Sequence, residues 1–182
     1  LSGHKPNPFY VRAANGRYIN IAPDLGLDQL QVSRGIAVAD VDGDGDLDFA
    51  LANQWEDSHF YRNDCPNGCG KFLGLHVRMP VKMDKNEQIF VYKGHPTNPS
   101  YPAIGAAANL ILPDGRSFVA QVDGGNGHSG KRSPDLHFGL DQVQVPSDTP
   151  IKIELRWRDR QGIVREKVLS FFLPGWHTVE LF

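Results

Sequence analysis

Five aspartates at alternate positions, Asp40, Asp42, Asp44, Asp46 and Asp48, fall within nine consecutive residues of this chain, with Gly43 and Gly45 among them. Without a cation such a run repels itself and works against any compact loop. A hard divalent ion removes the conflict. Calcium suits it best, because it takes about six to eight oxygens at roughly 2.3–2.6 Å and tolerates irregular geometry, whereas magnesium demands a strict octahedron and keeps its waters. The two glycines let the backbone take positive φ, so that alternate side chains converge on one point. Asp40, Asp42, Asp44 and Asp48 are expected to bind through side chains and Asp46 through its carbonyl. An EF-hand is excluded, because its loop needs a bidentate acid at the twelfth position, where this chain has Leu51. A solvated acidic turn is the bland alternative, and it leaves so dense a charge inside an apolar frame unexplained.

Other residues invite chemistry with less support. Cys65 and Cys69 flank Pro66-Asn67-Gly68, whose turn chemistry brings the thiols near each other. A local disulfide is the expected state and implies an oxidising compartment; free thiols or half of a metal site are the alternatives, and no second cysteine pair is present. His128, His137 and Asp135 lie near Ser129 and Ser133, which suggests a hydrolase, yet no nucleophile elbow accompanies them. No catalytic residue is assigned, and the stretch from Gly124 to Gly130 reads as a loop with His137 and Phe138 packing beneath it. Trp55, Trp157 and Trp176 could line a carbohydrate face, although tryptophan in a β-protein more often serves the core.

The elements that must position the aspartate loop are strands. Ile36-Ala37-Val38-Ala39 and Phe49-Ala50-Leu51-Ala52 are short apolar runs on either side of it. Before them, Phe9 to Arg12 and Gly16 to Ile21 read as a hairpin turning at Ala14-Asn15-Gly16. Phe60-Tyr61-Arg62-Asn63 echoes Phe9-Tyr10-Val11-Arg12 about 50 residues on, near the length of one propeller blade. After the cysteines, strands are expected at residues 72–77, 89–92, 108–112, 118–122, 151–157, 164–169 and 176–181. The run from Ile151 to Trp157 alternates apolar with charged residues, so one face is buried and the other wet. Thirteen prolines and nineteen glycines punctuate the chain too often for long helices. The fold class is all-β, with one propeller-blade-like calcium-loop unit at residues 1–69 and a β-sandwich or barrel at residues 70–182.

The segment from Arg34 to Phe49, with Asp40-Val41-Asp42-Gly43-Asp44-Gly45-Asp46-Leu47-Asp48 at its centre, resembles the FG-GAP/VCBS repeat of integrin-like β-propellers, and Phe60 to Asn63 is similar to the strand that closes that repeat. Ala103-Ile104-Gly105-Ala106, Gly124 to Ser129 and Leu136-His137-Phe138-Gly139-Leu140 resemble an ASPIC/UnbV domain, which follows such repeats in cartilage-acidic-protein-like secreted chains. The resemblance implies a calcium-binding extracellular or cell-surface protein with a structural or adhesive role. A propeller needs about 4–8 blades and this chain supplies about one. Three arrangements answer that shortfall: a piece of a larger parent chain, a blade packed against the second unit, or an edge completed by a neighbouring copy. The last makes a homo-oligomer or fibre, since an edge contact that does not close propagates. The alternative function is a carbohydrate- or protein-binding module.

Composition removes other classes. Nineteen basic against 21 acidic residues give a formal charge of −2, with no cationic footprint for nucleic acid. The longest apolar run, Val168 to Leu173, is too short to span a bilayer. The polar opening Leu1-Ser2-Gly3-His4-Lys5 reads as a mature or trimmed N-terminus.

Overall fold

Frequent turn residues and β-branched, aromatic-rich runs produce strands and nothing else: among the described residues the computed structural model holds seventeen strands and no helix. The described residues are 5–64, 70–82, 89–125, 129–140, 149–171 and 175–182. Cys65 and Cys69, and with them the expected disulfide, lie outside the described residues. In the first part of the chain the strands are β1 Lys5–Pro6, β2 Tyr10–Arg12, β3 Tyr18–Asn20, β4 Leu30–Gln31, β5 Ser33–Ala39, β6 Asp48–Asn53 and β7 His59–Tyr61. There follow β8 Phe72–Pro80, β9 Phe90–Lys93, β10 Ser100–Pro102, β11 Ala107–Ile111, β12 Ser117–Gln121 and β13 Gly130–Arg132. The last four are β14 Leu136–Gly139, β15 Ile151–Arg158, β16 Val164–Phe171 and β17 Gly175–Glu180.

The second part is a sandwich of two sheets, and none of the sheets closes into a barrel. One runs β12-β11-β15-β16; the other runs β10-β8-β17-β9, with β14 also paired to β8. Ile151, Ile153, Leu155 and Trp157 face inward from β15 while the residues between them are exposed, as their alternation requires. They meet Leu73, Leu75 and Val77 of β8, Val179 of β17 and Phe138 of β14 in one continuous core. Strand β8 is unusual in being buried on both faces from Phe72 to Val77. Its second face, carrying Phe72, Gly74 and His76, lies under the aspartate loop. At the sandwich edge, β16 places Arg165 and Lys167 opposite Trp157 and Leu155, a placement of charge that discourages pairing with another chain.

The first part is the blade. Strands β5 and β6 pair antiparallel on either side of the aspartate loop, and β7 pairs with β6. A fourth strand completes this sheet, and it comes from the other part of the chain: β13 pairs parallel with β5, setting Gly130, Lys131 and Arg132 against Ile36, Ala37 and Val38. Gly35 permits the approach, since a Cβ there would stand 2.6 Å from the Ser129 carbonyl oxygen. Ser133 N then donates to Val38 O at 3.0 Å. The stretch read as a loop to Gly130 therefore ends in a strand, and the blade packs against the second unit with its β5 edge covered. The expected hairpin is β2–β3, closed by Ala13 N to Arg17 O at 2.8 Å. The Pro-rich stretch after Lys93 contributes β10, and Asn98 donates to the buried Glu180 at 3.1 Å.

Candidate metal centre

Strand β5 delivers Asp40 at its end and strand β6 begins with Asp48, so antiparallel pairing sets the two ends of the loop side by side. Asp48 is buried; its Oδ2 accepts from Val41 N at 2.9 Å and its Oδ1 from Asn63 N at 2.8 Å. Asp40 is half-buried and gathers the middle of the loop. Gly43 N donates to its Oδ1 at 2.7 Å and Gly45 N to its Oδ2 at 2.9 Å. Asp42 and Asp44 make the next turns, accepting from Asp44 N at 3.3 Å and Asp46 N at 2.8 Å. Gly43 and Gly45 have φ of 79° and 100°, as the convergence of side chains demands.

This folding brings Asp40, Asp42 and Asp48 together, each offering one oxygen within 4.8 Å of the others. Oxygens on one calcium ion stand no more than about 5 Å apart, twice the metal–oxygen distance, so the three fit a shared ion. Asp44 and Asp46 are not in that group. A nearby cation, Arg62, reaches Asp42 Oδ2 only at 3.8 Å and commits its Nε to Asp64 at 2.7 Å. Asp64, with smaller help from Asp42 and Asp44, raises the pKa of this exposed guanidinium.

The sandwich reaches into the loop. Trp176 Nε1, from β17, donates to Asp40 Oδ2 at 2.7 Å, and His137 Nε2, from β14, donates to Gly45 O at 2.7 Å. Behind them His76 stacks on Trp176 with centroids 4.5 Å apart, and Phe72 stacks on His137 at 5.4 Å. His76 in turn hydrogen-bonds His95 Nδ1 through Nε2 at 3.1 Å, while its Nδ1 lies 2.8 Å from Asp135 Oδ1 in ion-pair contact. Burial pushes the Asp135 carboxyl upward, but bonds from His76 and Ser133, with the charges of His76 and Arg78, outweigh it and hold the group below its ordinary range.

Chemistry weighed from the sequence alone is redistributed by this geometry. The Ser133 hydroxyl bonds to Asp135, and the same carboxylate takes His76, so serine and histidine share one acid instead of forming a serine–histidine pair. His128 lies outside the described residues. The three tryptophans do not share a face: Trp157 is core, Trp55 is 85% exposed, and Trp176 lies against the aspartate loop. Trp176 and His137 were legible as residues but not as partners of that loop. The available signal was the pair of glycines opposite them. A Cβ on Gly74 would stand 2.3 Å from the Trp176 ring, and one on Gly45 would stand 2.2 Å from Phe72.

Residues 34–68 match the model of the FG-GAP repeat, and residues 96–179 match that of the ASPIC and UnbV domain. The chain carries an FG-GAP repeat followed by an ASPIC/UnbV domain. No curated protein matches it. The FG-GAP match spans β5, β6, β7 and the whole aspartate loop, while the ASPIC/UnbV match includes β13, His137 and Trp176. Strands β8 and β9 fall between the two matches, although β8 is the strand on which the sandwich and the loop both rest. The pair of domains marks an extracellular, adhesion-type module related to β-propellers. Among the described residues no helix is long and apolar enough to cross a membrane.

Proposed function

We propose that the protein is a calcium-binding structural or adhesive module of an extracellular or cell-surface assembly, acting by binding and not by catalysis. The observation that carries this reading is the convergence of Asp40, Asp42 and Asp48 on one point within 4.8 Å, on a loop whose backbone is already curled by their own hydrogen bonds. Asp44 and the Asp46 carbonyl would complete an irregular oxygen shell of the kind calcium accepts. The ion would bind carboxylates from both ends of the loop, Asp40 after β5 and Asp48 at the start of β6, and so pin the two strands together. Self-assembly belongs to the same reading. With β13 covering β5, a contact with a second copy would run through sheet-end strands such as β7 and β12.

Calorimetric titration with calcium and with magnesium tests the ion. Saturable binding that prefers calcium and is lost in Asp42→Asn supports the reading; no binding at millimolar calcium overturns it. At 100 times the dissociation constant, calcium should stabilise the fold by about 2.7 kcal/mol, which raises the melting temperature by roughly 5–10 °C relative to chelated protein. Light scattering with calcium and after chelation tests assembly. Polymers favour the structural role, whereas a persistent monomer turns the reading toward a ligand-binding module. One feature favours that second role: a crevice of about 400 Å³ beside the loop, lined by Asp40, Lys131, Arg132, His137 and Trp176, where a carbohydrate or partner-protein side chain would fit.

A further inference from the structure

Two side chains of the ASPIC/UnbV domain end on the metal loop of the FG-GAP repeat, and both do so as hydrogen-bond donors. Trp176 Nε1 reaches Asp40 Oδ2 at 2.7 Å, and His137 Nε2 reaches the Gly45 carbonyl at 2.7 Å. An ionised carboxylate has about four acceptor positions and a carbonyl has two. On Asp40, Gly45 N and Trp176 Nε1 fill Oδ2 and Gly43 N takes one position of Oδ1, so these bonds orient the carboxylate and leave one position on Oδ1 for a cation; the Gly45 carbonyl likewise keeps one. The donors are not casual surface contacts. Trp176 fits over Gly74, where a Cβ would stand 2.3 Å from the ring, and is stacked by His76, itself fixed by Asp135 and His95. His137 is stacked on Phe72, which fills the space a side chain at Gly45 would take.

We infer that Trp176 and His137 are positioning residues of the calcium site, so that the ion and the docking of the two domains stabilise each other. This rests on the calcium reading above. Outer partners of this kind set the orientation of a ligand before the metal arrives, and losing one costs about 10–100-fold in metal affinity. Linkage makes the coupling reciprocal: whatever factor docking contributes to calcium affinity, calcium contributes to docking. The aspartate loop is then half of a site whose other half lies some ninety residues or more further along the chain, and calcium acts as a fastener between the domains as well as within one blade.

The test compares wild-type protein with Trp176→Phe, which keeps an aromatic ring but loses the N–H, and His137→Ala with His137→Gln, which restores a donor. Calcium affinity is read by calorimetry and amide exchange by mass spectrometry, with and without calcium. The expected result is a 10–100-fold weaker calcium affinity in Trp176→Phe and His137→Ala, with recovery in His137→Gln. In wild type, calcium should slow exchange in β17 and β14 as well as in the loop. Wild-type affinity in Trp176→Phe overturns the inference while leaving the calcium reading intact. Wild-type protein that shows no calcium binding overturns both. Should the variants fail to fold, the wild-type exchange experiment decides alone: calcium protection confined to the loop and β5–β6 overturns the coupling.

Discussion

Asp48 and Asp42 sit in one acidic run but answer to different forces. Asp48 is buried and its two oxygens satisfy Val41 N and Asn63 N, so it organises the loop whether or not an ion is present. Asp48→Ala should cost about 2 kcal/mol in urea unfolding even in chelator, since two backbone donors lose their partner. Asp42 is exposed and its nearest cation is 3.8 Å away; Asp42→Asn should change stability in chelator by less than about 0.5 kcal/mol while weakening calcium binding. Equal destabilisation of both variants in chelator would contradict this division. Asp135 supplies a pH dependence. Its folded pKa is lowered, so the stability it contributes is present above the unfolded aspartate value of about 4 and is lost as pH falls through the lower folded one. In chelator, the urea midpoint should therefore drop between pH 6 and pH 3. The drop should be smaller in Asp135→Asn, with the remainder belonging to other acids such as Asp159, where burial is outweighed by its bond to Arg165.

At the scale of elements, the decisive one is a short strand of the sheet that frames the loop. Strand β13 has three residues, Gly130, Lys131 and Arg132, and no apolar period, so its pairing is invisible to pattern reading. Its place follows from what surrounds it: β14 is anchored on β8 by Leu136 and Phe138 in the core, which leaves the preceding residues lying along β5. Covering β5 removes one open edge of a lone blade. Ser133→Pro deletes the N–H that holds Val38 O at 3.0 Å and should loosen this cover. The expected outcome is a shift toward dimers or larger species in light scattering at high concentration. An unchanged size distribution would mean that β13 is not what shields the edge. The blade meanwhile leaves Ile36, Phe60 and Trp55 exposed, while the Phe49 ring contacts those of Phe9 and Tyr61.

For the molecule as a whole, the two parts differ in how they are held together. The sandwich has a continuous core running from Leu73 to Leu181, whereas the blade contributes none of its strand residues to that core. Hydrophobic burial therefore stabilises the second part and only weakly the first. The blade relies on strand pairing with β13, on the polar network around Asp40 and Asp48, and on Trp176 and His137 across the joint. An element held mainly by polar contacts has a small opening free energy, and that is the situation in which a bound ion matters most.

Much of this was legible in the chain itself. Alternation fixed the inner face of β15 at Ile151, Ile153, Leu155 and Trp157, because a period of two follows from strand geometry alone. The aspartate run and its glycines predicted a curled loop with converging carboxylates, because like charges so close must be turned toward a shared counter-charge, and Gly43 and Gly45 do hold positive φ there. Which aspartates converge was not legible: Asp40, Asp42 and Asp48 meet because β5 and β6 pair with Ala39 opposite Asp48. Nor was the reach of Trp176 and His137 into that loop. Their positions depend on β17 and β14 both pairing with β8, a register between segments far apart in sequence that no local preference encodes. Only the assembled sandwich decides it, since its core requires Val179 and Phe138 to face inward and so turns Trp176 and His137 outward, onto the loop.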